Sequence, residues 1–180
     1  MLSGRHPFEN RVWTNSHILD TAIPTFAHAM GAGGYRPVLI GRMHSLGPDQ
    51  LHGYVDRPVG DHGSNWGGSG LAPGNLRAAV EAAGPGQGAY QVHDEDVTAA
   101  TVSFLDHLGV RKRAGLMDKP FSLSVGFMLP HHPYLARRPI YEQYRENISM
   151  PRVREAFDDD LHPFLRWWRE HGKLDETLPD

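Results

Sequence analysis

The sequence predicts an α/β fold with a mostly parallel sheet and flanking helices, and three segments carry this prediction. Residues 38–40 (Val-Leu-Ile) form a short apolar run of the kind found in a central, fully buried strand. Residues 94–108 carry an apolar stripe at helical spacing, and residues 121–128 have the pattern of a second strand. A strand, a helix and a strand in this order indicate a βαβ unit. We therefore expect two parallel strands in one sheet, joined by a right-handed crossover.

The segment before the first strand is predicted to hold a loop followed by one helix. Residues 1–20 have a loop-like composition. Thr21 can cap a helix that starts at Ala22 or Ile23 and ends at about Gly31, with Pro24 in the first turn, where its missing N–H group costs least. The glycines at 33 and 34 are expected to end this helix just before the strand.

Residues 45–92 are predicted to be a long, glycine-rich loop, since half of the chain's 20 glycines lie between positions 53 and 88. Long loops are uncommon in compact domains and are often functional, although a mobile insertion without a role is an equal alternative. The acidic residues 94–96 suit the N-terminus of the helix that follows. Gly109 should end that helix, which leaves the basic residues 111–113 in a solvated turn.

The C-terminal third is predicted to contain two short helices. The first covers residues 140–147, and the second covers residues 161–171 with Asp160 as its cap and Pro163 in its first turn. The sequence shows neither an internal repeat nor a domain boundary, so we expect residues 1–180 to belong to a single domain.

The composition is that of a globular protein, with 39% hydrophobic and 22% charged residues. A net charge of −3 gives no basic field for nucleic acid, and no apolar run approaches the ~20 residues of a membrane span. The chain has no cysteine, so disulfides and thiolate ligands are excluded. No signal peptide is visible, and the composition leaves a cytoplasmic and a periplasmic location open.

Two strand ends carry the candidate site. Arg42 and His44 follow the first strand, and His131 and His132 follow the second. Because ligands bind at the carboxyl ends of parallel strands, we expect these side chains to meet at one sheet edge. Arginine offers a fork of donors to a tetrahedral oxyanion, and histidine moves protons near neutral pH. The pairing points to sulfate-ester or phosphate-ester chemistry.

Several of these segments resemble the sulfatase family, within the alkaline-phosphatase-like superfamily. Residues 34–44 resemble its second signature, Gly-Tyr-x-Thr-x-x-x-Gly-Lys-x-His, with Pro37 in place of threonine and Arg42 in place of lysine. Residues 2–5 (Leu-Ser-Gly-Arg) resemble the end of the first signature. The remaining similar segments are residues 15–26, residues 47–53 (most like the choline-sulfatase-type branch) and residues 121–134, which end in Pro-His-His-Pro-Tyr.

The resemblance implies part of an alkaline-phosphatase-like sandwich, incomplete at both ends, and an enzyme that hydrolyses sulfate esters. In the family a hydrated formylglycine attacks sulfur while a divalent cation, usually calcium, screens the oxyanion. By this resemblance Arg42 bridges nucleophile and sulfate, His44 contacts the nucleophile, and His131 contacts the sulfate oxygens. Arg5 supports the nucleophile segment or has a plain structural role.

The resemblance also implies that this chain is an internal fragment without independent activity. The cysteine that becomes formylglycine is absent, and the family's metal ligands would lie outside residues 1–180. Asp61-His62-Gly63 copies the letters of a metal motif at the wrong place, so we expect no ligand there. Adjacent histidines on an extended chain point to opposite sides, so His131 and His132 are not expected to chelate a metal together.

The expected partners are a small-molecule sulfate ester and the missing segments of the same enzyme, with neither nucleic acid nor membrane. Two alternatives to a sulfuric ester hydrolase stay open. One is a non-catalytic sulfatase remnant or anion-binding domain, and the other is a phosphonate or phosphate ester hydrolase of the same superfamily.

Overall fold

The computed structural model describes residues 2–61, 76–149 and 161–173 of the chain. These residues confirm the predicted α/β class. The described helices are α1 Pro7–Asn10, α2 Phe26–Ala32, α3 Leu76–Glu81, α4 Ala89–Arg113, α5 Arg138–Arg145 and α6 Pro163–Gly172. The described strands are β1 Arg36–Gly41, β2 Gly84–Pro85, β3 Phe121–Gly126 and β4 Leu135–Ala136.

The chain divides into two compact units. The first comprises Met1–Gly70 and Ala89–Met128, and the second comprises Leu71–Gly88 and Leu129–Asp180. The first unit holds β1, β3 and α4, and the second holds β2 and β4. The single domain expected from the sequence stays a prediction.

Strands β1 and β3 of the first unit are parallel, as predicted. Arg36 pairs with Phe121 at one end and Gly41 pairs with Gly126 at the other. The other edge of β1 bonds to a returning backbone segment, since the N–H of Leu39 donates to the Asp56 carbonyl at 3.0 Å. Backbone on both sides makes β1 the central strand, which explains why its sequence is so apolar.

The core of the first unit lies on both faces of β1. On one face Val38 and Ile40 pack against Val97 of α4, and on the other Leu39 packs against Ala27 of α2. All five side chains are at most 1% exposed. Burial of each larger aliphatic side chain contributes about 1.5–3 kcal/mol, so this layer fixes the position of β1.

Helix α2 begins later than predicted. Its N-cap is Thr25 rather than Thr21, and a capping box joins Thr25 to His28. The predicted helix start is instead a turn, in which the carboxylate of Asp20 accepts the N–H of Ala22. Reciprocal side-chain bonds satisfy the first helical N–H groups better than Thr21 could. Gly33 ends the helix as predicted.

Helix α4 is longer at both ends than predicted. Residues 94–96 lie in its second turn, Gly109 lies inside it, and residues 111–113 form its last turn rather than a solvated loop. A glycine inside a helix costs about 1 kcal/mol relative to alanine, and α4 nevertheless continues for about one turn beyond Gly109. The basic last turn also interacts favourably with the helix dipole.

The prediction that residues 1–20 form a loop was wrong in part, because this segment contains α1. The predicted loop at residues 45–92 likewise contains α3, β2 and the start of α4. Helix α5 spans Arg138–Arg145 rather than residues 140–147. Helix α6 begins at Pro163 with His162 as its N-cap, whose ring accepts the N–H of Phe164. The predicted cap, Asp160, lies outside the described residues.

In the second unit β2 and β4 form a short parallel pair. The N–H of Gly84 donates to the Tyr134 carbonyl at 3.1 Å, and the N–H of Gly86 donates to the Ala136 carbonyl at 2.8 Å. This pairing anchors the end of the segment that carries the two histidines.

Among the described helices none is both long and apolar enough to span a membrane.

Candidate active site at the end of the central strand

Arg42 lies where the ends of β1 and β3 meet. Its N–H donates to the carbonyl of Gly126 at 2.8 Å. A Cβ atom on Gly126 would overlap the carbonyl oxygen of Arg42, so only glycine allows this approach. Arg42 is half-buried as a residue, and its Nε atom is buried without a hydrogen-bond partner. A buried cationic donor with spare capacity is suited to an oxyanion.

His44 is exposed and has a left-handed backbone, with φ of 57°. Such a conformation is uncommon for a residue other than glycine and persists only where its surroundings enforce it. His44 lines a cleft of about 330 Å³. Leu2 and Ser3 line the same cleft, so the segments that resemble the first and second signatures meet there.

The backbone of Arg5 forms hydrogen bonds with two residues of this cleft. Its N–H donates to Ser3 Oγ at 3.3 Å, and its carbonyl accepts Nδ2 of Asn10 at 3.4 Å. Ser3 and Asn10 both line the cleft, whereas the Arg5 residue itself is exposed. The geometry suits the structural role that the sequence left open, and its part in binding stays a prediction.

Two buried residues hold the loop between Gly41 and Ser45, a role that the sequence analysis did not give to either of them. Arg57 and Asp61 form an ion pair at 3.2 Å, with side chains only 3% and 5% exposed. The Asp61 carboxylate accepts the N–H groups of Met43 and Ser45 at 3.1 and 3.2 Å. Burial lowers the pKa of Arg57, and the nearby Asp61 carboxylate opposes that change.

The sequence analysis considered Asp61 only as the first residue of the Asp-His-Gly run, that is, as part of a metal motif. The structure gives Asp61 another partner set, namely one guanidinium and two backbone amides. His62 and Gly63 lie outside the described residues.

The segment that follows builds the wall of the cleft. Gln50 donates through Nε2 to the carbonyls of Ser45 and Gly47 at 3.2 and 2.7 Å. Asp49 accepts the backbone N–H of His52 at 2.9 Å, and this bond is the main cause of the lowered pKa of Asp49. The residues that resemble the choline-sulfatase-type branch are therefore part of the cleft's framework.

His131 and His132 lie in the second unit, in a bend after β3. Their rings stack with centroids 4.2 Å apart, and Nδ1 of His131 donates to the His132 carbonyl at 2.7 Å. The prediction that the two side chains point to opposite sides was wrong, because a bend does not follow the alternation of an extended strand. Burial lowers the pKa of His132, and the charge of His131 acts in the same direction. The meeting of His131 with Arg42 and His44 stays a prediction.

No site among the described residues fits the divalent cation that the resemblance implies for a complete enzyme. Across residues 2–61, 76–149 and 161–173, no cluster of three or more histidine, aspartate or glutamate side chains could hold a metal ion. The carboxylates closest to the loop are already engaged, Asp61 by Arg57 and Asp49 by backbone amides.

Comparison with known proteins gives one clear relationship. No protein-family model matches the chain. Over 156 residues the chain is 31% identical to a choline-sulfatase of Rhizobium meliloti (strain 1021). The match covers 81% of this chain and 30% of that protein, so the chain spans about a third of the relative's length. The match confirms the predicted resemblance: over four fifths of its length, this chain is similar to a sulfatase.

Proposed function

We propose that the loop after β1 is the sulfate-binding part of the active site of a sulfuric ester hydrolase. The match to a choline-sulfatase over four fifths of the chain carries this proposal. The position of Arg42 supports it, since the residue combines a positive charge, partial burial and a buried Nε without a partner. In such surroundings, charge-assisted hydrogen bonds to sulfate oxygens are stronger than they are in water.

His44 and His131 have complementary roles in this proposal. His44 faces the cleft where it can hydrogen-bond an attacking oxygen and move its proton. His131 donates its Nδ1 proton to the neighbouring carbonyl. In this role Nε2 of His131 donates a hydrogen bond to a sulfate oxygen.

The chemistry that breaks the ester bond requires groups beyond those described. Family enzymes use a formylglycine made from cysteine, and this chain has no cysteine. We therefore propose that residues 1–180 bind and orient the sulfate group, while turnover needs the remaining parts of a complete enzyme. The substrate class is a small sulfate ester, and the relative's name makes choline sulfate the first to test.

The lack of cysteine also favours a second candidate, an anion-binding domain of sulfatase ancestry that performs no catalysis. Both candidates predict sulfate binding. They differ only in whether adding the complementary segments of a sulfatase restores hydrolysis. A phosphate or phosphonate ester hydrolase of the same superfamily would instead prefer phosphate to sulfate in the same cleft.

Isothermal titration of the full chain with sulfate tests the proposal. Arg42→Ala should weaken sulfate binding by about tenfold or more, the effect of losing one charge-assisted contact. Arg36→Ala is the matched control, because Arg36 lies at the opposite end of the same strand and pairs only loosely with Asp56, at 3.7 Å. Equal affinities in the two variants would contradict the site assignment.

A chromogenic aryl sulfate, assayed with and without calcium, tests the separate claim that the chain alone does not turn over. We expect no hydrolysis above background, since a lost covalent nucleophile leaves only residual rate from binding and charge stabilisation. Calcium-dependent hydrolysis that Arg42→Ala abolishes would overturn this claim.

A further inference from the structure

We propose that Arg57 and Asp61 are positioning residues for the sulfate site, because they fix the turn that presents His44. This inference rests on the proposed function for the meaning of the site, but its structural part can be tested separately. The two N–H groups that Asp61 accepts belong to Met43 and Ser45, the residues on either side of His44. The Asp61 carboxylate therefore holds the backbone on both sides of His44.

The geometry resembles a backbone anion-binding nest. In a nest, the N–H groups of residues that flank a left-handed position converge on one anion. Here His44 is the left-handed residue, with φ of 57°, and the same oxygen, Oδ2 of Asp61, accepts both flanking N–H groups. The unusual backbone of His44 thus has an identified cause, namely a buried intramolecular carboxylate.

Arg57 completes the arrangement in two ways. It neutralises Asp61, which would otherwise be a buried carboxylate without a counter-charge. It also donates to the Gly41 carbonyl at 2.9 Å and to the Gln50 carbonyl at 2.9 Å. One guanidinium therefore ties the last residue of β1 and the wall of the cleft to the carboxylate that holds the turn.

Asp61→Asn in the full chain tests the inference, because asparagine keeps the size and one acceptor oxygen but removes the charge. Two quantities are measured: the ¹H and ¹⁵N shifts of the Met43, His44 and Ser45 amides, and the affinity for inorganic sulfate. We expect all three amides to shift and sulfate binding to weaken by about tenfold. Asp56→Asn, at an exposed ion pair, should change neither quantity.

A second variant covers the case in which Asp61→Asn does not fold. Arg57→Lys keeps the charge but loses the planar fork that reaches Gly41 and Gln50 together. It should remain folded, shift the same amides by a smaller amount and weaken sulfate binding less than Asp61→Asn. A folded Arg57→Lys protein with wild-type amide shifts and wild-type sulfate affinity would overturn the inference.

The two proposals fail in different ways. If the wild-type chain does not bind sulfate, the proposed function fails, yet the amide shifts still decide whether Asp61 sets the turn. If wild type binds sulfate and a folded Asp61→Asn protein has unchanged amide shifts or unchanged affinity, the positioning role is wrong while the sulfate site stands. Arg42→Ala should separate the two, since it weakens sulfate binding while the Ser45 amide, which Asp61 holds, keeps its wild-type shift.

Discussion

The loop after β1 and the turn after β3 both carry candidate site residues, but different kinds of contact hold them. Asp61 holds the loop from 16 and 18 residues away in sequence, through a buried charge. The turn shows a contact between neighbours, with His131 bonded to the next residue and the two rings stacked. The positions of similar motif residues can therefore depend on distant parts of the chain in one region and on direct neighbours in another.

The largest effect should come from removing the charge that holds the loop. Asp61→Ala leaves the guanidinium of Arg57 buried without its counter-charge. It also removes the acceptor of the Met43 and Ser45 N–H groups. We expect the free energy of unfolding to fall by about 3–5 kcal/mol, as measured by urea denaturation.

The matched control is Asp56→Ala, because its partner Arg36 is exposed and the pair is 3.7 Å apart. Its loss should cost at most about 1 kcal/mol. Similar losses in the two alanine variants would mean that the buried pair is not what holds the loop.

The next effect concerns the strand ends from which both regions start. Gly126→Ala should cost about 1–3 kcal/mol, because its Cβ would overlap the Arg42 carbonyl oxygen and force the strand ends apart. Thermal unfolding measures this loss.

Gly31→Ala is a control of opposite sign. Gly31 lies inside α2 with open space at its Cβ position, so alanine should stabilise the chain by about 0.5–1 kcal/mol. A Gly126→Ala protein as stable as wild type would show that the strand ends do not approach as closely as described.

The smallest effect belongs to the turn and depends on pH. Burial lowers the pKa of His132, so the folded state favours the neutral ring. The unfolded chain then binds the proton more readily, and stability falls as the pH drops through the ordinary histidine range of about 6.5. His132→Gln should lose less stability than wild type when the pH falls from 8 to about 5. Parallel stability curves for the two proteins would contradict this sign.

The strand pair was predictable because its signal is local. An apolar run at residues 38–40 and a helix before the next strand are enough to specify two parallel strands. The ends of α4 were not predictable in this way. Tyr90 and His93 are buried, so packing extends the helix before Asp94, and at the other end the helix continues through Gly109 to Arg113.

In the candidate site, too, the residues with a local sequence signal were predicted and those without one were missed. Arg42 and His44 were identified from one continuous motif, whereas Arg57 and Asp61 were missed as its support. Their role depends on the return of residues 55–59 along the free edge of β1, where Val38 bridges to Asp56. A long-range backbone contact of this kind leaves no local pattern in the sequence, so only the structure brings the pair to the loop.

The most direct test of the central claim is a sulfate titration of the full chain followed by ¹H–¹⁵N NMR. We expect the largest shift changes on Arg42, His44 and Ser45, and we expect His131 to respond at the same sulfate concentrations. Arg36 and the basic residues 111–113 should change little. Shift changes centred on residues 111–113, with residues 42–45 unaffected, would show that sulfate binds general positive charge and would contradict the account.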